Sequence, residues 1–376
     1  MPLWARSRSA VGPNGYAGGV NNGLVFSADN EPGIGRRGSK RFQYVHEQSG
    51  KPVRDRPTLD RIEALVIPPA WVDVWICADA HGHVQATGRD ARHRKQYRYH
   101  RDYRSQRDRE KFADLIPFGE ALGPLRARLR ADLATRAWDF DHVVALVLSL
   151  LDETHIRVGN EHYAKENGTF GLTTLRNKHL EADSATPRLH FVGKGGAEQE
   201  VAIDDKLLAR QVRRCRELPG QQQFQWIDVT GGRHPVHSGD VNERLRELTG
   251  LDATAKTFRT WGASVTAASL LADAGTPDSA AAVNREIVAA VDEVADELGN
   301  TRAVARGSYV HPAVVESYEL GRLEQWWHDG PTRAASGLEP DERKLLVVLR
   351  KARRAGLGTG RATSSAAAAT SMGKGA

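Results

Sequence analysis

The rhythm of apolar and polar positions along the chain changes near residue 100. Beyond that point, segments near 104–130, 139–157, 204–218, 239–248, 254–273, 278–297 and 312–327 carry apolar residues three and four apart, the spacing that lines one face of a helix. Ser238 or Asp240 stands as a cap before VNERLREL, and Asp278 or Ser279 before AAAVNREIVAAV. One more amphipathic stretch runs from Glu342 to Arg354. Between about 40 and 100 the runs are shorter and read as strand. Val72-Asp-Val-Trp-Ile-Cys77 and His83-Val-Gln-Ala-Thr87 flank Asp79-Ala-His-Gly82, which predicts a hairpin, and Pro68-Pro69 forces a break ahead of it. A second hairpin interrupts the helical part: Arg188-Leu-His-Phe-Val192 and Glu198-Gln-Glu-Val-Ala-Ile203 are joined by Gly193-Lys-Gly-Gly196, a glycine-rich tip carrying the single lysine Lys194.

These patterns predict an α+β architecture. A Gly/Asn/Ser-rich flexible arm covers 1–35, a small β-rich domain 36–103 and a mostly α-helical domain 104–328. An extension over 329–376 ends, from Gly356, in a disordered Ala/Gly/Ser/Thr-rich tail. The 376 residues suffice for two cores, and no repeats are present.

Composition narrows the function classes. The content of 40% hydrophobic and 27% charged residues is that of a globular protein. The longest apolar run, Val143 to Leu151, stops at Asp152, well short of the roughly 18 residues that a membrane span needs. No signal-peptide-like apolar stretch opens the chain, so a cytoplasmic location is expected. Cys77 and Cys215 are too few for a disulfide framework or a zinc cage. The net charge of +6 is mild, but its distribution is not. From Arg89 to Lys111, ten Lys/Arg face four Asp/Glu, so this one stripe carries a surplus equal to that of the whole chain. Such a stripe attracts a polyanion, and Tyr97, Tyr99 and Tyr103 interleave it with groups that can bond phosphates or pack on sugars. Read alone, it also fits a solvated helix face.

Four residues elsewhere are each ambiguous when taken singly. Arg157 follows an apolar helix, where arginine often caps or forms a salt bridge. Lys194 fits a solvated turn, Arg259 the polar face of a helix, and Tyr309 a half-buried core position. Their joint order is more specific. TLDRIEALVIPPAWVDVWIC (58–77), ATGRDARHRKQYRYH (86–100), RVGNEHYAKENGTFGLTTLRNKHL (157–180), FVGKGG (191–196), VNERLRELTGLDATAKTFRTW (241–261) and GNTRAVARGSYVHPAVVESY (299–318) occur in the order found in one family. From about residue 33 to 325 the chain resembles the bacterial and poxvirus type IB DNA topoisomerases.

The resemblance implies a β-rich amino-terminal domain and an α-helical catalytic domain that close as a clamp on duplex DNA. It implies relaxation of supercoils through a 3′-phosphotyrosyl intermediate, with no cofactor, metal or ATP, by a monomer in the cytoplasm associated with the nucleoid. The nucleophile matches Tyr309 of Gly-Ser-Tyr-Val-His-Pro, the first arginine Arg157 of Arg-Val-Gly-Asn, the lysine Lys194, and the second arginine Arg259 of Lys-x-x-Arg. The fifth position, often histidine in the family, is Asn300, whose amide can still donate a hydrogen bond. Tyr97 and Tyr99 match tyrosines that such enzymes set on DNA, and Arg94, Lys95 and Arg98 join them as expected DNA contacts. Removal of residues after 335 is expected to do little to DNA binding beside the loss of Arg94, Lys95 and Arg98. The residue types suit the chemistry. Two guanidiniums can hold the charge that builds on non-bridging oxygens, a tyrosine can conserve the bond energy as an ester, and a lysine on a glycine-flanked tip can protonate the leaving 5′ oxygen.

Two rivals remain open on the sequence. A tyrosine recombinase has similar Arg–Lys–Arg–Tyr chemistry but usually His-x-x-Arg where this chain has Lys256-x-x-Arg259. A catalytically idle DNA-binding protein is the other.

Overall fold

Five short strands and a helix packed on them lie, among the described residues, in the first of two compact units, which divide between Asp108 and Arg109 in a computed structural model describing residues 23–38, 41–91, 93–103, 112–183 and 186–358. The first 22 residues of the expected arm, the tail beyond 358, and residues 92 and 104–111 of the basic stripe lie outside the described residues.

In the first unit, β1 (Ile34–Arg37), β2 (Gln43–His46), β3 (Val72–Ile76), β4 (Val84–Arg89) and β5 (Lys95–Tyr99) form an antiparallel sheet in the order β2-β1-β3-β4-β5. The hairpin read from the alternation is β3–β4. The helix α1 (Arg56–Ala64) lies inside the block TLDRIEAL and was not expected there; Asp55 caps it by accepting from Thr58 N. Its Ile62 enters a small core with Ile34, Val53, Val74, Ile76 and Ala86. Arg61 pins it to the sheet through Gln85 Oε1 at 2.5 Å and the Cys77 carbonyl at 2.8 Å. Residues 23–33, assigned on composition to the flexible arm, in fact line the sheet: Ser27 Oγ donates to the Val84 carbonyl at 2.9 Å, and the Glu31 carbonyl accepts from Trp75 Nε1. Gly and Asn content is a poor guide where a few side chains find partners.

The second unit is helical, with one three-stranded and one two-stranded sheet. Its helices are α2 (Leu115–Leu133), α3 (Phe140–Thr154), α4 (Glu161–Asn167), α5 (Lys206–Arg216), α6 (Ser238–Thr249), α7 (Ala255–Asp273), α8 (Ala280–Glu297), α9 (Arg302–Ser308), α10 (Pro312–Glu319), α11 (Leu323–His328) and α12 (Pro340–Arg354). The strands β6 (Leu180–Glu181), β7 (Arg188–Val192) and β8 (Glu198–Ala202) make the first sheet, β9 (Gln225–Ile227) and β10 (Arg233–Pro235) the second. The α3 run Val143–Leu148 is buried throughout, and α7 lies in the same core with Phe258, Trp261, Ala263, Ala267 and Leu271. Ser279 caps α8 by accepting from Ala282 N, as expected. At α6 the cap is His237, with Asp240 accepting from its N–H at 2.8 Å. The expected 312–327 helix is two helices, broken where Gly321 takes φ 63°.

The extension after 329 is not a peripheral appendage. Leu345, Leu346, Val348, Leu349 and Ala352 of α12 are buried in the same core. Glu342 is buried as well, taking Arg126 from α2 at 2.7 Å and Trp261 Nε1 from α7 at 2.9 Å. Arg126 also holds Asp152 of α3 at 2.7 Å. One guanidinium thereby ties α2, α3 and α12 together.

Candidate active site

The four residues Tyr309, Arg157, Arg259 and Asn300 come together in the second unit, each placed by the end or the buried face of a helix. Asp139 caps α3 by accepting from His142 N, and the helix stops at His155, whose backbone is left-handed at φ 52°. The next residue, Ile156, is buried. Arg157 follows, its backbone fastened where its carbonyl accepts from Leu172 N at 2.8 Å. Its Nη2 donates to Asn300 Oδ1 at 2.5 Å and to the Gly299 carbonyl at 3.3 Å. Asn300 reaches that point because α8 ends at Leu298 and the turn through Gly299 (φ 57°) brings Asn300 N back onto the Ala295 carbonyl at 2.8 Å.

Arg259 sits on the buried face of α7 and is only 4% exposed. Its Nη1 donates to the His155 carbonyl and its Nη2 to the Leu298 carbonyl at 2.9 Å, while Nε is buried without a hydrogen bond among the described residues. Burial is the main cause that lowers its pKa, with the like charge of Arg157 adding to it against the opposing pull of Tyr309. Neither Arg157 nor Arg259 has a carboxylate within salt-bridge distance among the described residues. Two guanidiniums close enough to feel one another's charge, one of them buried and neither bonded to a carboxylate among the described residues, make a site suited to an anion.

Tyr309 terminates α9, its N–H bonding the Ala305 carbonyl at 3.0 Å. Ser264 of α7 fixes this turn: its hydroxyl donates chiefly to the Thr260 carbonyl at 2.7 Å, lies 3.3 Å from the Tyr309 carbonyl and accepts from His311 N at 3.0 Å. The ring is 8% exposed, with the Arg259 guanidinium 5.0 Å and the Lys256 ammonium 5.5 Å from its centroid. Burial alone pushes the phenol up. The charge and hydrogen bond of Arg259, then the charges of Lys256 and Arg157, outweigh it and hold the phenol below its ordinary value. Lys256 had been read only as the first letter of Lys-x-x-Arg. Its spacing of three from Arg259 on a helix was the available sign that both share a face.

Lys194 stands apart from this cluster, exposed on the β7–β8 tip and without a partner among the described residues. Gly195 and Gly196 take φ 87° and 83°, which favours glycine and lets the tip turn tightly beside the lysine. The end of the hairpin next to its tip does reach the site: Gln199, paired with Phe191 just below the turn, would come within 2.7 Å, through Nε2, of a Cβ on Gly299.

The expected DNA contacts occupy the edge strand of the first unit, and they divide by face. Tyr97 and Tyr99 are exposed (46% and 38%) and stacked with centroids 5.9 Å apart, and Tyr103 continues the stack at 5.6 Å. Lys95 shares their face and pairs with Asp29 at 2.6 Å. Arg94 pairs with Asp90 at 2.7 Å. Arg98 alternates to the opposite face, where it donates to the Val66 carbonyl at 3.0 Å and lies 5.6 Å from the Trp71 ring centroid. Among the described residues, no cluster of three or more His, Cys, Asp or Glu is placed to hold a metal ion.

Comparison with known proteins bears on both units. A family described as the catalytic core of eukaryotic DNA topoisomerase I matches residues 100–325, and one described as the N-terminal domain of bacterial DNA topoisomerase IB matches residues 41–90. DNA topoisomerase 1B of Acanthamoeba polyphaga mimivirus is 31% identical over 286 residues, covering 74% of this chain and 85% of its own length. DNA topoisomerase 1B of Vaccinia virus (strain Copenhagen) is 24% identical over 153 residues, 40% of this chain and 49% of its own. DNA topoisomerase 1 of Rabbit fibroma virus (strain Kasza) is 22% identical over 272 residues, 69% and 81% respectively.

Proposed function

The chain belongs to the type IB DNA topoisomerases and is an isomerase of that type, and from this premise we propose that it relaxes supercoiled DNA through a 3′-phosphotyrosyl ester formed on Tyr309. The observation that carries the reading is the gathering of Arg157, Arg259 and Asn300 about a buried tyrosine, with the Arg259 guanidinium 5.0 Å from its ring centroid and neither arginine bonded to a carboxylate among the described residues. The tyrosine-recombinase and idle-binder alternatives are not favoured by these relatives.

In this reading a phosphodiester enters between the two guanidiniums. Tyr309 Oη attacks phosphorus and its proton passes to solvent. The bond from phosphorus to the 5′ oxygen breaks, and Lys194 Nζ supplies the proton that the departing oxygen needs. Arg157 and Arg259 hold the charge on the non-bridging oxygens, the task that a divalent ion performs in many nucleases. The unpaired Arg259 Nε–H and the Asn300 amide are further donors for those oxygens. The ester conserves the energy of the broken bond, so the 5′ hydroxyl reseals the strand by the reverse steps and no ATP is consumed. The exposed Tyr97–Tyr99 stack supports DNA contact by the first unit, with both units engaging one duplex. The enzyme is read as a monomer acting in the cytoplasm at the nucleoid. No helix among the described residues is long and apolar enough to cross a membrane.

The test is relaxation of plasmid in EDTA without ATP, on positive and negative supercoils alike. Tyr309→Phe should bind DNA yet form no covalent adduct. Tyr318→Phe should behave as unaltered enzyme, because the Tyr318 hydroxyl is buried and makes no hydrogen bond among the described residues. Strict dependence on magnesium, or an adduct mapped to Tyr318, would contradict the assignment.

A further inference from the structure

The carbonyls that hold Arg259 come from two distant parts of the chain, His155 at the exit of α3 and Leu298 at the exit of α8. The same exits are joined again between Arg157 and Asn300. They meet a third time in a contact with no part in the reaction: His155 Nδ1 lies 3.2 Å from Glu297 Oε1.

The helix that carries Arg259 closes this contact from the other side. Thr266 Oγ1 of α7 donates to Glu297 Oε2 at 3.1 Å. The His155 ring lies against Gly262, where a Cβ would come within 2.2 Å of the ring's Cε1. Only glycine leaves room for the imidazole at that point. His155 also holds a left-handed backbone, φ 52° and ψ 21°, a conformation uncommon outside glycine but one that histidine adopts more readily than most residues. One residue thus presents its carbonyl to Arg259 and its ring to Glu297.

We propose that His155 and Glu297 are a positioning pair that sets the spacing between Arg157, Arg259 and Asn300, and hence the geometry of the phosphate pocket. The inference rests on the reading of those three residues as phosphate-binding groups. Arg157 and Asn300 leave their helices within three residues of His155 and Glu297, so a shift at the pair is carried directly to the donors. The Glu297 carboxylate has a second effect. It acts on Arg259 through charge while bonding His155 and Thr266, and it makes no salt bridge to the guanidinium. It thereby tempers the burial of that cation and leaves it open to an anion. Hydrogen bonding from His155 is the first cause that holds the Glu297 carboxyl below its usual range.

The experiment is single-turnover cleavage of a nicking substrate by the full chain, with noncovalent DNA affinity and melting temperature measured beside it. His155→Ala and the surface-tolerant Glu297→Ala should each slow cleavage about ten- to a hundredfold, since small displacements of reacting groups have effects of that size, while affinity for DNA stays within about twofold. The double variant should be no slower than the slower single variant, as expected for two halves of one device. His155→Asn tolerates the left-handed backbone and offers an amide donor to Glu297, so it should recover most of the lost rate. Single variants that cleave within about twofold of unaltered enzyme, or defects that multiply in the double variant, overturn the pairing. A loss confined to affinity or melting temperature makes the contact structural only and overturns it too. Failure of the unaltered enzyme to form a Tyr309 adduct would instead bring down the proposed function, and this inference with it.

Discussion

Asn300 Oδ1 accepts from Arg157 Nη2 at 2.5 Å, while Asn300 Nδ2 makes, among the described residues, a single long bond of 3.4 Å to the Leu298 carbonyl. One amide therefore has two ends with separate tasks, orienting a guanidinium and offering a donor beside it. Asn300→Ala removes both and should slow cleavage about 10²-fold, the effect typical of one lost donor at a developing oxyanion. Asn300→Asp keeps the acceptor for Arg157, drops the donor and adds a negative charge that repels phosphate. It should be slower still in a single-turnover assay. If the aspartate cleaves faster than the alanine, Asn300 acts only by holding Arg157.

The acidified phenol has a kinetic signature. Because Tyr309 lies below its ordinary pKa, the cleavage rate should rise with pH and level off below about pH 10, where a free phenol would still be titrating. In Arg259→Gln the leading stabiliser of the phenolate is gone and burial remains, so the inflection should move upward. The measurement is the pH profile of single-turnover cleavage for both proteins. An inflection that does not move would separate Arg259 from the nucleophile's ionisation.

The legible part of the site was its order along the chain. Arg157, Lys194, Arg259, Asn300 and Tyr309 sit in blocks that resemble one family, and the structure gathers four of the five. Helical periodicity likewise located α3, α5, α6, α7, α8 and α12 to within a few residues, because apolar residues recur at helical spacing along each, although α3 is buried all round over Val143–Leu148 and α6 buries only Val241 and Leu245. What was not legible depends on partners far away in sequence. Nothing local marks His155 as an acceptor for Arg259, or Gly262 as the space for its ring. The helix α1 is short and buries a single residue, Ile62, too little for a periodic pattern to register. Arg98 looked like one more cation in a basic stripe, and only the pairing of β5 with β4 shows which way it faces.

That facing changes what the stripe should do. Tyr97→Ala and Tyr99→Ala should weaken DNA binding, by about 1.5–3 kcal/mol for each hydrogen bond to phosphate that is lost. Lys95→Ala should reduce the slope of log affinity against log salt by about one. Arg98→Ala should act differently: it removes the bond to the Val66 carbonyl and the cover over Trp71, so it should lower the melting temperature of the first unit more than it lowers affinity. Equal loss of affinity at Arg98 and Lys95, with no change in melting, would restore the simple reading of the stripe.

The extension after 335 should prove indispensable, contrary to its composition. Truncation there removes α12 with Leu345, Leu346, Val348 and Leu349, each contributing about 1.5–3 kcal/mol by burial, which exceeds the stability of many domains. Glu342→Ala alone should cost about 3 kcal/mol, since it leaves the half-buried Arg126 with Asp152 as its one carboxylate among the described residues and leaves Trp261 Nε1 without its acceptor. Burial pushes the Glu342 carboxyl up, but bonds and charge from Arg126, the Glu339 N–H and Trp261 hold it below its usual range. A carboxyl depressed in the folded state stabilises above its unfolded pKa and loses that stabilisation as pH falls through the folded one. The melting temperature should therefore drop on acidification below about pH 4, and less steeply in Glu342→Gln. A stable, active truncation at 335 would refute the packing argument.

Lys194 poses the sharpest question, because it is exposed on its tip and bonds nothing among the described residues. A lysine near phosphate can serve by charge alone, in which case it helps whatever atom departs. A general acid matters only in proportion to the leaving group's need for a proton. A 5′ alkoxide needs one greatly, whereas a 5′ thiolate, the anion of a much stronger acid, scarcely does. Lys194→Ala should slow cleavage of ordinary DNA by about 10²–10⁴, the range of general acid catalysis, and recover most of that rate when sulfur replaces the bridging 5′ oxygen. Arg259→Ala removes charge from the non-bridging oxygens and should gain no such rescue. If Lys194→Ala is equally slow on both substrates, the lysine is an electrostatic clamp. The proton donor must then be sought among the other groups around the tip end of the hairpin, where Gln199 meets Gly299.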